Sequence, residues 1–462
     1  MVFWLRAEVG TLAAPSDMIF PMPPIWFGTP HDEKVARRID RYEDSKHNRM
    51  LIGLHVASDF SKLSGALLVV SGHGKYLRIS TWKSIESTVP DELCARLQAI
   101  ETAETHNLLE LRAVQSELAT AQAVLVQELK ESAGKYVDRI LAVSLTEPGL
   151  WRDDFDGRQI YFPISRPSQL AELTGLNVID AFPNEDVENG GSGKQLEVLP
   201  LWLMLSDRHH RAATESRFVV MMERATRVIF LPGSDGADIE LPEIHSFNVV
   251  GAEFVESVEQ DFRKLPCRNR SENGQQLKRL VDGRANESLL AKWRAGLSNQ
   301  GASFGSSTVS MMLEAISTLP EQPYYEDVLR SAVVFCADQI LTQIERLGTN
   351  LPIGKVSICG NGAFSTLVLT ELTNRLQNTS SRLLSGLSID SLDEPAALYA
   401  VLAGMLGFLF IDQMPSSLPW VTGCNTPRIL GRLTKGRPAS WKQLLVEMAD
   451  YRPPAMKLRE AI

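Results

Sequence analysis

The sequence predicts an α/β protein whose sheets are covered on both faces. Short apolar runs bounded by Gly or Ser alternate with longer stretches of helical periodicity, the pattern that builds layers of sheet and helix. Several of the runs are almost continuous in Val, Ile and Leu, which is how strands buried on both sides read. With 462 residues, 44% hydrophobic and 22% charged, the chain has the length for about two to four domains and the composition of one that folds.

In chain order, residues 1–48 form a Pro-rich extension, with Pro15, Pro21, Pro23, Pro24 and Pro30 followed by a charged helical run. Proline neither continues a helix nor donates to a ladder, so an extended segment is expected there. LIGLHVA and GALLVV then read as two strands of one hairpin, with a third from Leu77 to Thr81. A helical segment is expected over about 91–141, where Leu111, Val114, Leu118, Ala121 and Leu125 form one apolar stripe. That stripe would serve a coiled-coil dimer, but its short run favours packing on the chain's own sheet. RILAVSL, LNVIDAF, TRVIFL and KVSICG are further strands. Helices are expected over 171–174, 199–205, 280–294, 309–317 and 328–347. SDRHHRAATESR reads as a solvated surface loop. The apolar run Ala396–Ile411 is shorter than the roughly 20 residues a membrane span needs and reads as a buried helix.

Composition excludes several functions. Lys+Arg number 47 and Asp+Glu 56, a net charge of −9, which argues against non-specific nucleic-acid binding. The cysteines, Cys94, Cys267, Cys336, Cys359 and Cys424, form no CxxC pair, which argues against a zinc knuckle or a thioredoxin-type motif, and no metal site is expected. An odd count without a framework fits a reducing compartment. The first residues lack the basic start and unbroken apolar run of a signal peptide. A cytoplasmic protein without membrane or nucleic-acid partners is expected.

Three Gly-rich turns follow strands: Gly190-Gly191-Ser192-Gly193, Gly233-Ser234-Asp235-Gly236 and Gly360-Asn361-Gly362. Such turns let backbone N–H groups approach an anion, although most are only tight turns. None matches GxxxxGK[ST] or GxGxxG.

Four segments in order carry a resemblance to a known family. The first is Ile52-Gly53-Leu54. The second is PSQLAELTGLNVIDAFPNEDVENGGSGKQLEVLP, which includes Phe182, Asp186, Gly190, Gly191, Gly193 and Pro200. The third is Val356-Ser357-Ile358-Cys359-Gly360-Asn361-Gly362-Ala363. The fourth is Leu418-Pro419-Trp420-Val421-Thr422-Gly423 with Ile429-Leu430-Gly431. Together these resemble the anhydro-N-acetylmuramic acid kinases over roughly residues 50–435. The resemblance implies a two-lobed actin-like (ribonuclease H-like) sugar-kinase fold with a cleft between the lobes. It places an N-terminal lobe over 49–225, a C-terminal lobe over 226–440 and a tail over 441–462. The implied reaction is MgATP-dependent hydrolytic ring opening and phosphorylation of 1,6-anhydro-N-acetylmuramic acid, in peptidoglycan recycling, by a homodimer. By resemblance the nucleotide would meet Ser58, Asp59, Gly233, Gly251, Gly360 and Gly362, and the substrate Asp186, Gly190, Gly191 and Gly193.

The departures bear on chemistry. The family's first phosphate loop, Gly-Thr-Ser-x-Asp-Gly, stands here as Ala57-Ser58-Asp59-Phe60-Ser61-Lys62. Ala57 hinders close backbone approach, Asp59 would repel a phosphate oxygen, and Ser61 replaces an Asp of the kind that handles magnesium. The family's general base, the Asp of Ala-Asp-Phe-Arg, falls on Ala181, and its Arg falls on Pro183. Asp180 is the displaced candidate base, although one residue along a strand reverses the face. The sugar motif His-Gly-Gln-Thr stands as Leu145-Thr146-Glu147-Pro148. The second phosphate motif falls at Pro232-Gly233-Ser234-Asp235-Gly236 and the third at Phe247-Asn248-Val249-Val250-Gly251-Ala252-Glu253. Phosphoryl transfer depends on positioning and charge neutralisation, so these losses favour a pseudokinase that binds an amino sugar or a protein partner. The other readings are a working kinase using Asp180 and, last, a kinase with a changed substrate.

Overall fold

The computed structural model describes residues 48–103, 105, 107–153, 159–205, 215–222, 226–233, 243–251, 254–255, 258, 283–300, 306–348, 353–360, 363–377, 388–391 and 395–450. β1 (Arg49–Val56), β2 (Lys62–Ser71) and β3 (Arg78–Thr88) form an antiparallel meander. Two helices, α1 (Asp91–Thr102) and α2 (Leu108–Ala133), lead to β4 (Ile140–Thr146), which lies parallel to β1. The hairpin of β5 (Leu150–Asp153) and β6 (Gln159–Phe162) follows, then α3 (Pro167–Thr174) and β7 (Asn177–Asp180), parallel to β4. Next come α4 (Phe182–Glu188) and α5 (Val198–Leu205).

The second sheet repeats this plan. β8 (Ser216–Met222), β9 (Thr226–Leu231) and β10 (His245–Val249) form a second antiparallel meander. Three helices, α6 (Glu287–Gln300), α7 (Ser306–Ser317) and α8 (Tyr325–Gly348), precede β11 (Ile353–Gly360), which is parallel to β8. After α9 (Ala363–Gln377), β12 (Ser388–Ser391) adds in parallel to β11. The chain then returns to the first sheet through α10 (Pro395–Ile411), α11 (Pro419–Thr422), the edge strand β13 (Arg432–Thr434) and α12 (Pro438–Asp450).

The strand orders are β13-β7-β4-β1-β2-β3 and β10-β9-β8-β11-β12. Counted from its own first strand, the second sheet reads 3-2-1-4-5, a three-strand meander followed by two parallel strands, and the first sheet repeats that order with β13 added antiparallel at its edge. Two copies of that unit are the two-lobed actin-like architecture expected from the sequence.

Both sheets are sandwiched, which explains their continuous apolar strands. In β1, Ile52 and Leu54 face α1 and α2 together with Leu93, Leu118 and Leu125, while Leu51 faces α10 with Leu402 and Leu406. Leu111, Val114, Leu118 and Leu125 are buried against the first sheet, so the stripe is an internal face. In the second sheet, Phe218, Val220 and Val228 pack with Trp293, Phe335 and Ile340. Val219, Met221 and Ile229 face Leu199, Trp202 and Leu398 on α5 and α10. The apolar run expected to be a buried helix is α10, and no helix among the described residues is long and apolar enough to cross a membrane.

Several boundaries differ from expectation. The 91–141 helix is two helices, because Asn107 begins the second: its side-chain carbonyl accepts from the Leu109 N–H at 2.9 Å. A lobe boundary at 225/226 would divide the paired strands β8 and β9. Residues 395–440 return to the first sheet, where β13 pairs with β7. Residues 441–450 are not tail but part of α12, whose Ser440 carbonyl accepts from the Asn177 amide at 3.0 Å. Residues 1–47, 206–214 and 451–462 lie outside the described residues.

Candidate functional site

In open α/β sheets the carboxyl ends of the parallel strands are where ligands bind. The first sheet presents β1, β4 and β7 side by side there, ending in Val56, Thr146 and Asp180. His55 pairs with Thr146 across the β1–β4 ladder, and its Nδ1 lies 3.1 Å from the Thr146 hydroxyl. Its ring stacks on Tyr399 of α10 at 4.9 Å. Burial pushes the imidazole down to about 4, so it is neutral at pH 7.

Asp180, the displaced candidate base, is 1% exposed. β13 sets Arg432 directly opposite it, and the guanidinium takes both carboxylate oxygens, Nη2 to Oδ2 at 2.6 Å and Nε to Oδ1 at 3.3 Å. Burial raises the Asp180 pKa, and Arg432 opposes that rise. A carboxylate held by a fork of guanidinium donors is poorly placed to take a proton from water. Ala181, where the family's base would stand, has left-handed backbone (φ 55°, ψ 32°) and precedes α4.

Glu147, in the sequence only a change in the sugar motif, lies close enough to Asp180 to feel its charge. The Ser165 hydroxyl donates to its carboxylate, and the Tyr161 hydroxyl lies 3.4 Å from Oε1. Burial pushes the Glu147 carboxyl up to about 7, and the charge on Asp180 adds to the rise. The signal for Glu147 was an acid replacing an amide in an otherwise apolar strand end. Tyr161, Ser165 and Arg432 carried no local signal, because only the β5–β6 hairpin and β13 bring them here.

The turn after β1 holds Ser58 and Asp59. It closes on itself: the Ala57 N–H donates to the Lys62 carbonyl at 3.0 Å, and the Phe60 N–H to the Ala57 carbonyl at 2.9 Å. Asp59 Oδ1 accepts from the Ser61 N–H at 3.0 Å and from its hydroxyl at 2.7 Å. Phe60 takes the left-handed position (φ 61°) and is fully buried. Its ring belongs to the core between the first sheet and α1 and α2, so what the turn presents outward is the exposed Asp59 carboxylate.

The remaining nucleotide candidates divide between the two ends of the second sheet. Gly251 follows β10 and Gly360 ends β11, both at the end where Met222 and Thr226 lie. Gly233 follows β9 and sits at the opposite end, its N–H donating to the Ser216 hydroxyl at 3.2 Å. Gly233 therefore does not lie with Gly251 and Gly360. The β8–β9 connection through residues 223–225, topologically equivalent to the β1–β2 turn, is Glu-Arg-Ala and contains no glycine. Those residues and Gly362 lie outside the described residues. The donor set around the first turn does not fit MgATP. Among the described residues no group of three or more His, Cys, Asp or Glu could hold a metal ion.

The four substrate candidates form a clamp. Asp186 is fully buried and accepts from the Ser417 hydroxyl, from the Thr422 hydroxyl at 2.8 Å and from the Gly193 N–H at 2.8 Å. Gly190 (φ 81°) and Gly193 (φ 66°) need left-handed backbone. A Cβ on Gly191 would lie 2.2 Å from Asp186 Oδ2. The Ser192 N–H donates to the Thr422 carbonyl at 2.8 Å. The two motif segments that resembled the family most are thus one packed unit.

A family model described as anhydro-N-acetylmuramic acid kinase matches residues 278–436. The anhydro-N-acetylmuramic acid kinase of Bordetella avium (strain 197N) is 24% identical over 387 residues, covering 83% of this chain and 96% of that one. That of Bordetella petrii is 24% identical over 396 residues, covering 84% and 97%. Among solved structures, component A of the Acidaminococcus fermentans (R)-2-hydroxyglutaryl-CoA dehydratase superposes with a TM-score of 0.35 at 13% identity, covering 78% of this chain and 98% of that one. At that score it adds nothing to the strand order. Over most of its length the chain is thus similar, at low identity, to the anhydro-N-acetylmuramic acid kinases.

Proposed function

We propose that this anhydro-N-acetylmuramic acid kinase-like protein has kept the family's fold without phosphoryl transfer and serves as a binding module for an amino sugar. The observation that carries this reading is the turn over residues 57–61. Ala57 stands where the family's loop has a glycine, the Ser61 N–H is taken up by the Asp59 side chain, and Asp59 presents negative charge where a triphosphate would bring more. Ala181 at the base position and Arg432 bound to Asp180 point the same way. Cytoplasmic location, a homodimer and a role in peptidoglycan recycling belong to the same reading. The position of Gly251 and Gly360 at one end of the second sheet favours the second reading, a working kinase.

A thermal-shift titration with MgATP and with 1,6-anhydro-N-acetylmuramic acid separates the two, alongside mass analysis of the sugar after incubation with both. A ligand at a hundred times its dissociation constant adds about 2.7 kcal/mol, which in a chain of this size moves Tm by a degree or more. The expected result is a shift with the sugar, none with MgATP, and sugar of unchanged mass. A product heavier by water plus a phosphoryl group overturns the proposal.

A further inference from the structure

The chain enters the first sheet at the amino end of β1, opposite the carboxyl ends where the candidate site lies. Arg49 marks that point. Its guanidinium donates to the Gly72 carbonyl at 2.6 Å and to Asp412 at 2.5 Å, and its Nε lies 3.4 Å from Glu447 of α12. Asp412 also accepts from the Gly74 N–H at 2.6 Å. The turn between β2 and β3, the end of α10 and the last turns of α12 therefore meet around Arg49.

Exposed apolar side chains gather at this junction. Tyr76, in the turn between β2 and β3, is 55% exposed, and Leu445 and Val446 of α12 are 45% and 53% exposed. Single exposed hydrophobics are ordinary on a folded protein. Here two of them belong to a whole helix face. α12 buries Leu444 and packs Trp441 and Met448 inward, while Ala439, Lys442, Leu445, Val446 and Ala449 are exposed. A helix with solvent on its outer side normally carries charge there, and this face carries only Lys442 among the described residues.

A matching occupant lies upstream of the same point. Residues 18–27, MIFPMPPIWF, contain no charged side chain and three prolines. Proline presets such a segment to the polyproline II form, so docking costs it little backbone freedom, and segments of this kind dock on aromatic side chains. Residues 28–48 span about 70 Å when extended, enough to reach any part of α12, and the tether keeps the local concentration of the segment high. Residues 451–462 also begin nearby. They carry Arg452, Lys457 and Arg459 against Glu460, the same sign of charge as Lys442 and Lys75 beside the apolar surface. Residues 18–27 follow Asp17 and bring no positive charge.

We propose that residues 18–27 dock within the same chain on the outer face of α12 and on Tyr76, so that the Pro-rich extension is a strap over the amino end of the first sheet. The strap is independent of the binding-module reading, because the candidate site lies at the other end of the strands.

Limited chymotrypsin digestion of the full chain tests this. Cleavage after Trp26 and Phe27 needs the segment released, so its rate follows the released fraction. Leu445→Glu combined with Val446→Glu places charge on the face, keeps good helix formers and leaves the buried side chains of α12 untouched. The expected result is cleavage about tenfold faster in the folded double variant than in the wild-type chain, with a wild-type rate that does not change on dilution. Equal rates in a folded variant overturn the proposal. A wild-type rate that rises on dilution also overturns it, because the segment would then sit on a second copy. Replacing Tyr76 with benzoylphenylalanine keeps an aromatic ring at an exposed position and leaves α12 intact. Irradiation should cross-link it to residues 18–27 at the mass of one chain. A cross-link to residues 451–462, to a second chain, or to neither segment overturns the proposal.

Discussion

Asp186→Ala should lower unfolding stability by about 3 kcal/mol, measured as a fall in denaturant midpoint with unchanged slope. The carboxylate has no exposed surface and accepts from Ser417, Thr422 and the Gly193 N–H. Hydrogen bonds to a charged group contribute about 1.5–3 kcal/mol each, and removing the shared acceptor leaves buried donors unsatisfied. The effects do not sum in full, because all three donors belong to one network. Asp186→Asn should cost less. Its carbonyl can still accept from the two hydroxyls, but its amide would face the Gly193 N–H, donor against donor. The experiment also discriminates between roles. A carboxylate kept only to meet substrate would weaken sugar binding when replaced and leave the midpoint where it was. A clamp between the 186–193 turn and the 417–426 segment moves the midpoint first.

This clamp shows what the sequence could and could not reveal. The segments holding Asp186, Gly190, Gly191, Gly193 and Val421-Thr422-Gly423 stood out because close packing demands those residue types, and close packing is what the structure finds there. Strands such as β1, β2, β4, β9 and β11 were legible from continuous apolar runs, since both sheets are sandwiched. β8 was not, although Phe218–Met222 is as apolar, because its start merges with the polar 206–217 stretch. The short strands β5, β6, β12 and β13 are three or four residues long and too brief for periodicity to register. Site residues followed the same division. Asp180 was visible beside Ala181, but Arg432 lies 252 positions away and meets it only because an edge strand returns from the far end of the chain. Gly233 was grouped with Gly251 and Gly360 because a Gly-rich turn looks alike at either end of a strand. Only the ladder β8–β9 shows which end it occupies.

Gly53→Ala should cost about 4 kcal/mol or prevent folded protein from accumulating. α10 lies so close on β1 that a Cβ at Gly53 would stand 1.9 Å from the Ala400 carbonyl oxygen and 2.6 Å from the Gly404 nitrogen. Both are backbone atoms of a helix covered along its length, so no side chain can turn aside. The Ser144 hydroxyl, which donates to the Ala403 carbonyl at 2.6 Å, holds the helix at that distance. Overpacking ordinarily costs about 1–3 kcal/mol, and more where backbone must move. Gly65→Ala on β2 supplies the contrast. Its Cβ would meet Leu129 Cδ1 at 2.8 Å and the Leu125 side chain, groups with rotamer freedom, so a loss near 1 kcal/mol is expected. Gly53→Ala combined with Gly404→Ala should cost less than the two separately, since one outward shift of α10 relieves both contacts. That shift would also carry Tyr399 away from the His55 ring at the carboxyl end of β1. Loss of sugar binding in a Gly53→Ala protein that still folds would therefore tie the packing of α10 to the shape of the site.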